Sequence, residues 1–400
     1  MKFVNLFFHI YQPPVQDSQM LGRIVEESYG PLTRQFTHFC DLKFTLNINY
    51  SLVEQLHRDY PEIIGDIRSA YDLGNLELTG SAAYHAILPL LDEKEVCRQL
   101  TRNTEGISKV LGINFRPEGI FPPEMAFSSL ELCPIFRELG YQWTITDDSM
   151  LGSWGIEVPY DQIYVDRKMP VFLRSNVWAN QFANYHGQWR SGAQPVEELA
   201  EALEEWIGPK KDGYIIIALD GETFGHHHPE LGEAFLKEFF AAFRESRTLG
   251  LAHLSDLYHN KEFQHVRQFI PPGSWSIDQA DIRNRDFFSW WKSPFNRIHN
   301  KQWEFTKIVQ EAVRRLPEDD ELQMEMDQAL FSCQYWWASF WKFEPGEIYR
   351  GAFNMMRLFQ RAIENGGGNP KLLKRGETVF REFVTEVELE RANREASRHG

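Results

Sequence analysis

Short apolar segments alternate with longer segments of helical periodicity over residues 1–270. Apolar runs of this length, bounded by Gly, Pro and polar residues, are typical of buried parallel strands. Strands that alternate with helices predict βα units around a parallel sheet, and the number of strands favours a barrel over an open sheet. The candidate strands are residues 3–8, 43–48, 76–79, 119–121, 143–146, 171–174 and 214–219, with another near 251–254.

The strand pattern ends at a segment rich in Pro and Gly, residues 271–275. Such clusters mark breaks between structural elements. From about Asp286 onward the chain has helical periodicity, and aromatic residues recur near helical spacing at 336–341. We therefore predict two domains, a catalytic barrel in residues 1–270 and a helical bundle in residues 271–400 that packs on the barrel.

The charge balance and the cysteines exclude several classes of protein. The formal net charge is −15, and the clusters of Lys and Arg that nucleic-acid binding requires are not present in the sequence. The four cysteines are widely spaced without a CxxC pair, which argues against a zinc ribbon or a disulfide scaffold. No apolar run is long enough to span a membrane, and residues 3–8 do not have the features of a secretion signal. We expect a cytoplasmic protein without a nucleic-acid or membrane partner, and its oligomeric state stays open.

Aromatic residues make up 14% of the chain and include 12 tryptophans. Aromatic rings cover the apolar face of a sugar ring, while polar neighbours bind its hydroxyl groups. Packing in the core is the alternative use for each of them. The composition is therefore compatible with a sugar-binding protein but does not identify one.

Two carboxylates follow two of the candidate strands directly. Asp220 comes after the apolar run 214–219, and Glu124 comes shortly after 119–121. In a parallel barrel the carboxyl ends of the strands meet at one face, so we expect these groups to share a cleft. Paired carboxylates across one cleft are the catalytic groups of glycosidases.

Such a pair needs different environments, because one carboxyl must stay protonated while the other stays ionised. A carboxyl that is desolvated beside another carboxylate is suited to be the acid, and one surrounded by hydrogen-bond donors is suited to be the nucleophile. Arg174, His9 and His85 are candidate donors that also lie at or near strand ends. The sequence does not determine which carboxylate they face.

Four segments of the chain resemble, in order, four conserved regions of glycoside hydrolase family 57. They are His9-Ile10-Tyr11-Gln12-Pro13, residues 74–89 with His85, residues 119–126, and residues 220–226. That family contains α-amylases, 4-α-glucanotransferases, amylopullulanases and glucan branching enzymes. The resemblance implies a (β/α)7-type parallel barrel followed by a C-terminal helical bundle.

The resemblance also implies roles for individual residues. Glu124 would be the nucleophile and Asp220 the general acid/base of a retaining mechanism. The substrate-binding candidates are His9, Gln12, His85, Arg174, Glu222, His226, Trp275 and Trp336. Within this set, His9, Gln12 and His85 would line the subsite for the non-reducing-side sugar, and Glu222 and His226 would either orient Asp220 or contact sugar. Trp275 either faces the substrate or packs between domains, and Trp336 belongs to an aromatic stretch that resembles part of the family's bundle.

The predicted function is therefore a retaining glycoside hydrolase or transglycosidase that acts on α-1,4-glucans through a covalent glycosyl-enzyme intermediate, without a cofactor. Hydrolysis and transfer share that intermediate and are not distinguished. A non-catalytic glucan-binding homologue and a branching enzyme are the alternatives, and the short chain counts against the second. A metal-dependent hydrolase on a similar barrel is a third possibility.

The run His226-His227-His228 does not have the spacing of a metal site, so we expect no catalytic metal. The sequence does not decide whether loop carboxylates such as Asp147 and Asp148 hold a structural calcium ion.

The chain departs from the family pattern at three places. Phe121 stands where many members have Trp, Ala86 stands where a Pro often follows the second-region His, and residues 175–178 lack an acidic residue found in several subfamilies.

Overall fold

The computed structural model describes residues 2–208 and 212–399. Two compact units make up the chain. The first comprises Met1–Ala83 and Leu91–Trp275, and the second comprises Tyr84–Leu90 and Ser276–Gly400. The predicted domain boundary after residue 270 lies close to the point where the chain passes from the first unit to the second, between Trp275 and Ser276. The division into a catalytic domain and a helical domain stays a prediction.

The first unit contains ten strands. They are β1 (Lys2–Ile10), β2 (Phe44–Ile48), β3 (Leu76–Leu78), β4 (Gly119–Ile120), β5 (Trp143–Asp147), β6 (Gln162–Asp166), β7 (Met169–Arg174), β8 (Gly213–Asp220), β9 (Leu249–Leu251) and β10 (Gln264–Arg267). Each of the candidate strands is present, with ends shifted by a few residues. The sequence did not predict β6 and β10.

Seven parallel strands follow one another as neighbours around a ring. One sheet has the order β3-β2-β1-β8, and β5 lies between β4 and β7 in the other. Between β3 and β4 the ring continues through a parallel bridge of Gly80 and Ile120. Between β7 and β8 it is joined by a hydrogen bond of 2.9 Å from the Ser175 N–H to the Ile216 carbonyl. The remaining strands are additions, since β9 pairs with the start of β1, and β6 forms an antiparallel hairpin with β7.

The pattern of burial along β8 explains why the ring encloses a core. Ile216 and Ala218 pack in a cluster with Phe7, while Ile215 and Ile217 belong to a separate cluster that includes residues of the surrounding helices. Alternate residues of a strand point to opposite faces, so both faces of β8 are covered. This is the arrangement of a filled barrel inside a layer of helices.

The helices of the first unit are α1 (Ser18–Ile24), α2 (Gly30–His38), α3 (Tyr50–Asp59), α4 (Pro61–Leu73), α5 (Glu93–Leu111), α6 (Ser129–Glu138), α7 (Ser149–Gly152), α8 (Asn176–Ala183), α9 (Gln194–Ile207), α10 (Glu233–Glu245) and α11 (Leu254–His259). A π-helical turn, Val25–Tyr29, joins α1 to α2. Short 3₁₀ turns at Pro123–Met125 and Gly221–Thr223 follow β4 and β8.

The second unit is helical, as predicted. Its helices are α12 (Gln279–Asn284), α13 (Arg297–Val313), α14 (Asp320–Gln328), α15 (Cys333–Trp336), α16 (Pro345–Glu364) and α17 (Pro370–His399). Its core includes Ile298 of α13, Ile348 of α16 and Phe383 of α17, so these three helices pack on one another. Among the helices described for the chain, none combines the length and the apolar character needed to cross a membrane.

Candidate active site

The ends of β1, β4 and β8 bring the two predicted catalytic carboxylates to one site. Asp220 is the last residue of β8 and pairs in register with His9 near the end of β1. Glu124 lies in the 3₁₀ turn that follows β4. The negative charge of Asp220 raises the pKa of Glu124, so the two groups are close enough to interact. The catalytic roles that the sequence predicted for the two groups stay predictions.

An unusual backbone conformation positions Glu124. Its φ is 60°, in the left-handed region that residues with a side chain rarely adopt. Backbone hydrogen bonds hold the turn. Phe127 and Gly273 exchange two of them, of 2.8 and 3.0 Å, and the backbone N–H of Trp275 donates one of 3.3 Å to the Glu124 carbonyl. Strained backbone of this kind is often found at functional sites.

Burial keeps Glu124 from ionising easily. The pKa of Glu124 is raised to about 8, first because its carboxyl is desolvated and second because of the Asp220 charge. The indole Nε1 of Trp275 donates a hydrogen bond of 2.8 Å to Glu124 Oε2 and opposes that rise. At neutral pH these surroundings therefore favour the protonated form of Glu124.

Asp220 ionises more easily than Glu124 because a guanidinium lies nearby. Desolvation raises the pKa of Asp220 to about 6, and the positive charge of Arg174 limits the rise. The Arg174 side chain is fixed by a hydrogen bond of 2.8 Å from Nε to the Ala218 carbonyl and by an ion pair with the fully buried Asp147. The Arg174 guanidinium also lies 5.4 Å from the centre of the Trp275 ring.

A third carboxyl, Glu222, lies next to Asp220. Its side chain accepts hydrogen bonds from Gln12 Nε2, at 2.8 Å, and from the Tyr29 hydroxyl. Desolvation and the Asp220 charge raise the pKa of Glu222 to about 8, and the two donors oppose the rise. Glu222 is therefore a protonated group at neutral pH that is held beside Asp220.

His9 is buried and neutral. Its Nδ1 lies 2.8 Å from Asn47 Oδ1, and the Asn47 amide nitrogen donates to Thr79 Oγ1 at 3.0 Å. Because Asn47 Oδ1 can only accept, His9 carries its proton on Nδ1 and presents Nε2 as an acceptor. Desolvation lowers the pKa of His9 to about 4. Phe121 stacks on the His9 ring at 4.8 Å, so one residue that departs from the family pattern supports the site.

The model of one enzyme family matches residues 7–271, a span that contains His9, Glu124, Arg174, Asp220 and Glu222. Its description is glycosyl hydrolase family 57. The chain belongs to this family.

One curated family 57 relative is an α-amylase from Pyrococcus horikoshii. It is 26% identical to this chain over a match that covers 59% of the chain and 37% of the amylase. The chain thus spans well under half the length of that relative.

Solved structures share the fold. The crystal structure of the 4-α-glucanotransferase from Thermococcus litoralis has a TM-score of 0.71 at 18% identity, over 89% of this chain and 59% of that one. A family 57 branching enzyme from Pyrococcus horikoshii has a TM-score of 0.69 at 16% identity, over 96% of both chains. With the ring of seven strands, these similarities confirm the predicted (β/α)7-type fold followed by helices.

Three of the predicted substrate-binding residues contact other side chains of this family 57 chain. His226 Nδ1 lies 2.6 Å from Glu27 Oε2 in the π-helical turn. His85 and Trp336 belong to the second unit. There, His85 Nδ1 lies 2.7 Å from Ser332 Oγ, and the Trp336 ring faces the Lys342 ammonium at 5.6 Å. Their roles towards substrate stay predictions.

The sequence left undecided whether Asp147 and Asp148 bind a structural calcium ion. Both side chains have protein partners. Asp147 pairs with Arg174, and Asp148 accepts hydrogen bonds from the Tyr160 hydroxyl at 2.5 Å and the Asn176 N–H at 3.1 Å. Within residues 2–208 and 212–399, His, Cys, Asp and Glu side chains form no cluster of three that could hold a metal ion.

Two residues of the site were not predicted from the sequence. Asn47 fixes the protonation of His9, and a polar residue inside the apolar strand β2 was a signal that could have revealed it. Tyr29 donates to Glu222 across 193 residues of sequence. It lies in a segment with an ordinary helical pattern, so the sequence contains no comparable signal.

Proposed function

We propose that this family 57 chain is a retaining glycoside hydrolase or transglycosidase that acts on α-1,4-glucans. The observation that carries the proposal is the electrostatic coupling of Glu124, which follows β4, and Asp220, which ends β8. Glu124 attacks the anomeric carbon and forms a covalent glycosyl-enzyme, while Asp220 donates a proton to the leaving oxygen. Asp220 then removes a proton from the incoming water or sugar hydroxyl.

The mechanism requires that Glu124 and Asp220 together hold one proton. That proton must be on Asp220, so that Glu124 is ionised. The environment of the pair favours the other distribution, because Arg174 stabilises ionised Asp220 while burial and the Asp220 charge raise the pKa of Glu124 despite the hydrogen bond from Trp275. We propose that a bound glucan shifts the proton from Glu124 to Asp220. Two coupled carboxyls titrate as a unit, so such a shift changes which group holds the proton and not the total charge.

The surrounding residues have distinct proposed roles. Trp275 holds Glu124 through its indole N–H, and the Nε2 atom of neutral His9 can accept a hydrogen bond from a sugar hydroxyl. Glu222 and Gln12 form a hydrogen-bonded support next to Asp220. Because Glu222 is protonated, it adds no second negative charge beside the acid.

The test uses Glu124→Gln and Asp220→Asn variants incubated with maltooligosaccharides. Each substitution should reduce turnover by about a thousandfold or more, because covalent and acid catalysis each lower the barrier by several kcal/mol. Glu118→Gln is the matched control, since Glu118 is exposed and pairs with His259 at the surface. Turnover of more than a few per cent in either active-site variant would refute the proposal. A non-catalytic homologue would bind glucan without releasing new reducing ends and without changing the chain-length distribution of the maltooligosaccharides.

A second candidate function is glucan branching. The observation that favours it is coverage, because the branching enzyme from Pyrococcus horikoshii matches over 96% of both chains. The expectation that a short chain argues against branching therefore loses its basis. Incubation with amylose followed by a debranching enzyme separates the candidates, since only a branching enzyme creates new α-1,6 linkages. With maltoheptaose alone, products longer than the substrate would identify transfer in place of hydrolysis.

A further inference from the structure

A cavity of about 1000 Å³ opens at the end of the barrel opposite to the carboxylates. Its walls include Arg137, Tyr141 and Gln142, which precede β5, and residues 165–170, which span the turn from β6 to β7. Strand β7 runs from Met169 at the cavity to Arg174 at the active site. At the usual rise per residue the two ends are roughly 17 Å apart. The cavity is thus separate from the site described above.

The cavity is rich in positive charge. Arg137, Arg167, Lys168 and Arg267 line it, and in the described part of the chain none of the four takes part in an ion pair. The acidic lining residue Asp166 is buried, and its carboxylate accepts a hydrogen bond of 2.9 Å from the Ile270 N–H. All four cationic residues are exposed, so in a chain with a net charge of −15 they form a local positive surface that an anion can reach.

The turn that carries two of these cations is conformationally strained. Asp166 and Met169 are paired, so β6 and β7 are joined by a two-residue turn. Arg167 and Lys168 have φ values of 47° and 67°. Hairpin turns with two left-handed residues strongly favour Asn-Gly, because long side chains are unfavourable there. Basic residues at both positions are therefore better explained by a ligand than by the turn.

Aromatic side chains complete the cavity. Tyr258 and Phe269 line it, and 54% of the Phe269 side chain is exposed. The Tyr258 ring lies 5.8 Å from the ring of His265, another lining residue. Aromatic faces of this kind pack on the apolar face of a sugar ring.

We propose that this cavity binds a phosphate monoester of a sugar. Arginine and lysine side chains form charge-assisted hydrogen bonds with phosphate oxygens, and Tyr258 and Phe269 contact the sugar ring. The proposal does not depend on the reaction at Glu124 and Asp220. A ligand here would bind at the opposite end of β7 from Arg174.

The test is isothermal titration calorimetry of the full chain with glucose 1-phosphate, inorganic phosphate and maltose. The variant Arg167→Asn/Lys168→Gly replaces the two cations with the residues that the turn favours, so it should fold at least as stably as the wild type. We expect it to bind glucose 1-phosphate about tenfold more weakly or worse, because it loses two charge-assisted hydrogen bonds. Maltose binding and activity on maltooligosaccharides should be unchanged.

The control variant Lys94→Gln/Arg247→Gln removes the same two charges at exposed positions outside the cavity and should bind like the wild type. Equal affinity for glucose 1-phosphate in the wild type and in Arg167→Asn/Lys168→Gly would overturn the proposal. So would the absence of binding at about 10 mM, ten times the weaker end of ordinary substrate affinities. Equal affinity for phosphate and for glucose 1-phosphate would overturn recognition of the sugar.

Discussion

The indole Nε1 of Trp275 donates a hydrogen bond of 2.8 Å to Oε2 of Glu124. This contact joins the residue that closes the first unit to the proposed nucleophile. It stabilises the ionised carboxylate, because the N–H can donate and cannot accept. Whether Trp275 also faces the substrate or packs between domains, the two interpretations from the sequence, stays a prediction.

Replacing Trp275 with Phe should shift the pH dependence of the reaction. Without the donor, the pKa of Glu124 rises further, so a higher pH is needed to ionise the nucleophile. We expect the acidic limb of kcat/KM to move up by about half a unit to one unit. A pH–rate profile on maltooligosaccharides measures this. Trp154→Phe, at an exposed position, should leave the limb in place, and an unmoved limb in the Trp275 variant would contradict the assigned contact.

Replacing Glu222 with Gln should flatten the dependence of stability on pH. The folded-state pKa of Glu222 is about 8, whereas an unfolded Glu titrates near 4.3. Between these values the folded state retains a proton that the unfolded state releases, so stability falls as the pH rises. The slope is at most about 1.4 kcal/mol per pH unit for each such proton.

Gln cannot ionise and keeps an oxygen that accepts from Tyr29 and Gln12. Chemical denaturation at pH 5 and pH 8 should therefore show a smaller loss of unfolding free energy in Glu222→Gln than in the wild type. An identical loss in both proteins would mean that Glu222 is ionised in the fold.

Replacing Arg174 with Met should destabilise the first unit strongly. Asp147 is fully buried and pairs with Arg174, so the substitution leaves a buried charge without its partner. We expect a loss of about 3–5 kcal/mol in unfolding free energy. The double variant Arg174→Met/Asp147→Asn should recover part of it, because the buried charge is then gone. Equal destabilisation in the single and double variants would show that lost packing, and not the ion pair, explains the effect.

The sequence predicted those parts of the fold and the site that depend on local pattern. The strands with continuous apolar runs, such as residues 214–219, were found, and so were the carboxylates that follow them. Strands β6 and β10 were missed because the run between the polar ends of β6 is only three residues long and because β10 is largely exposed. An additional strand beside a barrel is stabilised by its partner, and little of that stability is visible in its own sequence.

The groups that tune the carboxylates depend on tertiary contacts. Tyr29 reaches Glu222 from a distant helix, and no local signal marks it. The basic cavity has the same origin, since its four cations come from three separate segments that only the fold brings together. A search of the sequence for runs of Lys and Arg therefore had nothing to find. The charge effects that decide which carboxyl holds the proton are likewise a property of the folded site.

The most direct test of the proposed roles is chemical rescue by azide of Glu124→Ala and Asp220→Ala, with α-maltosyl fluoride as an activated donor. If Glu124 is the nucleophile, azide takes its place and attacks from the same face, so Glu124→Ala should yield the β-glycosyl azide. Asp220→Ala should still form the glycosyl-enzyme, and azide should then release the α-glycosyl azide. The anomeric coupling in a proton NMR spectrum distinguishes the two products. The α product from Glu124→Ala and the β product from Asp220→Ala would contradict the account.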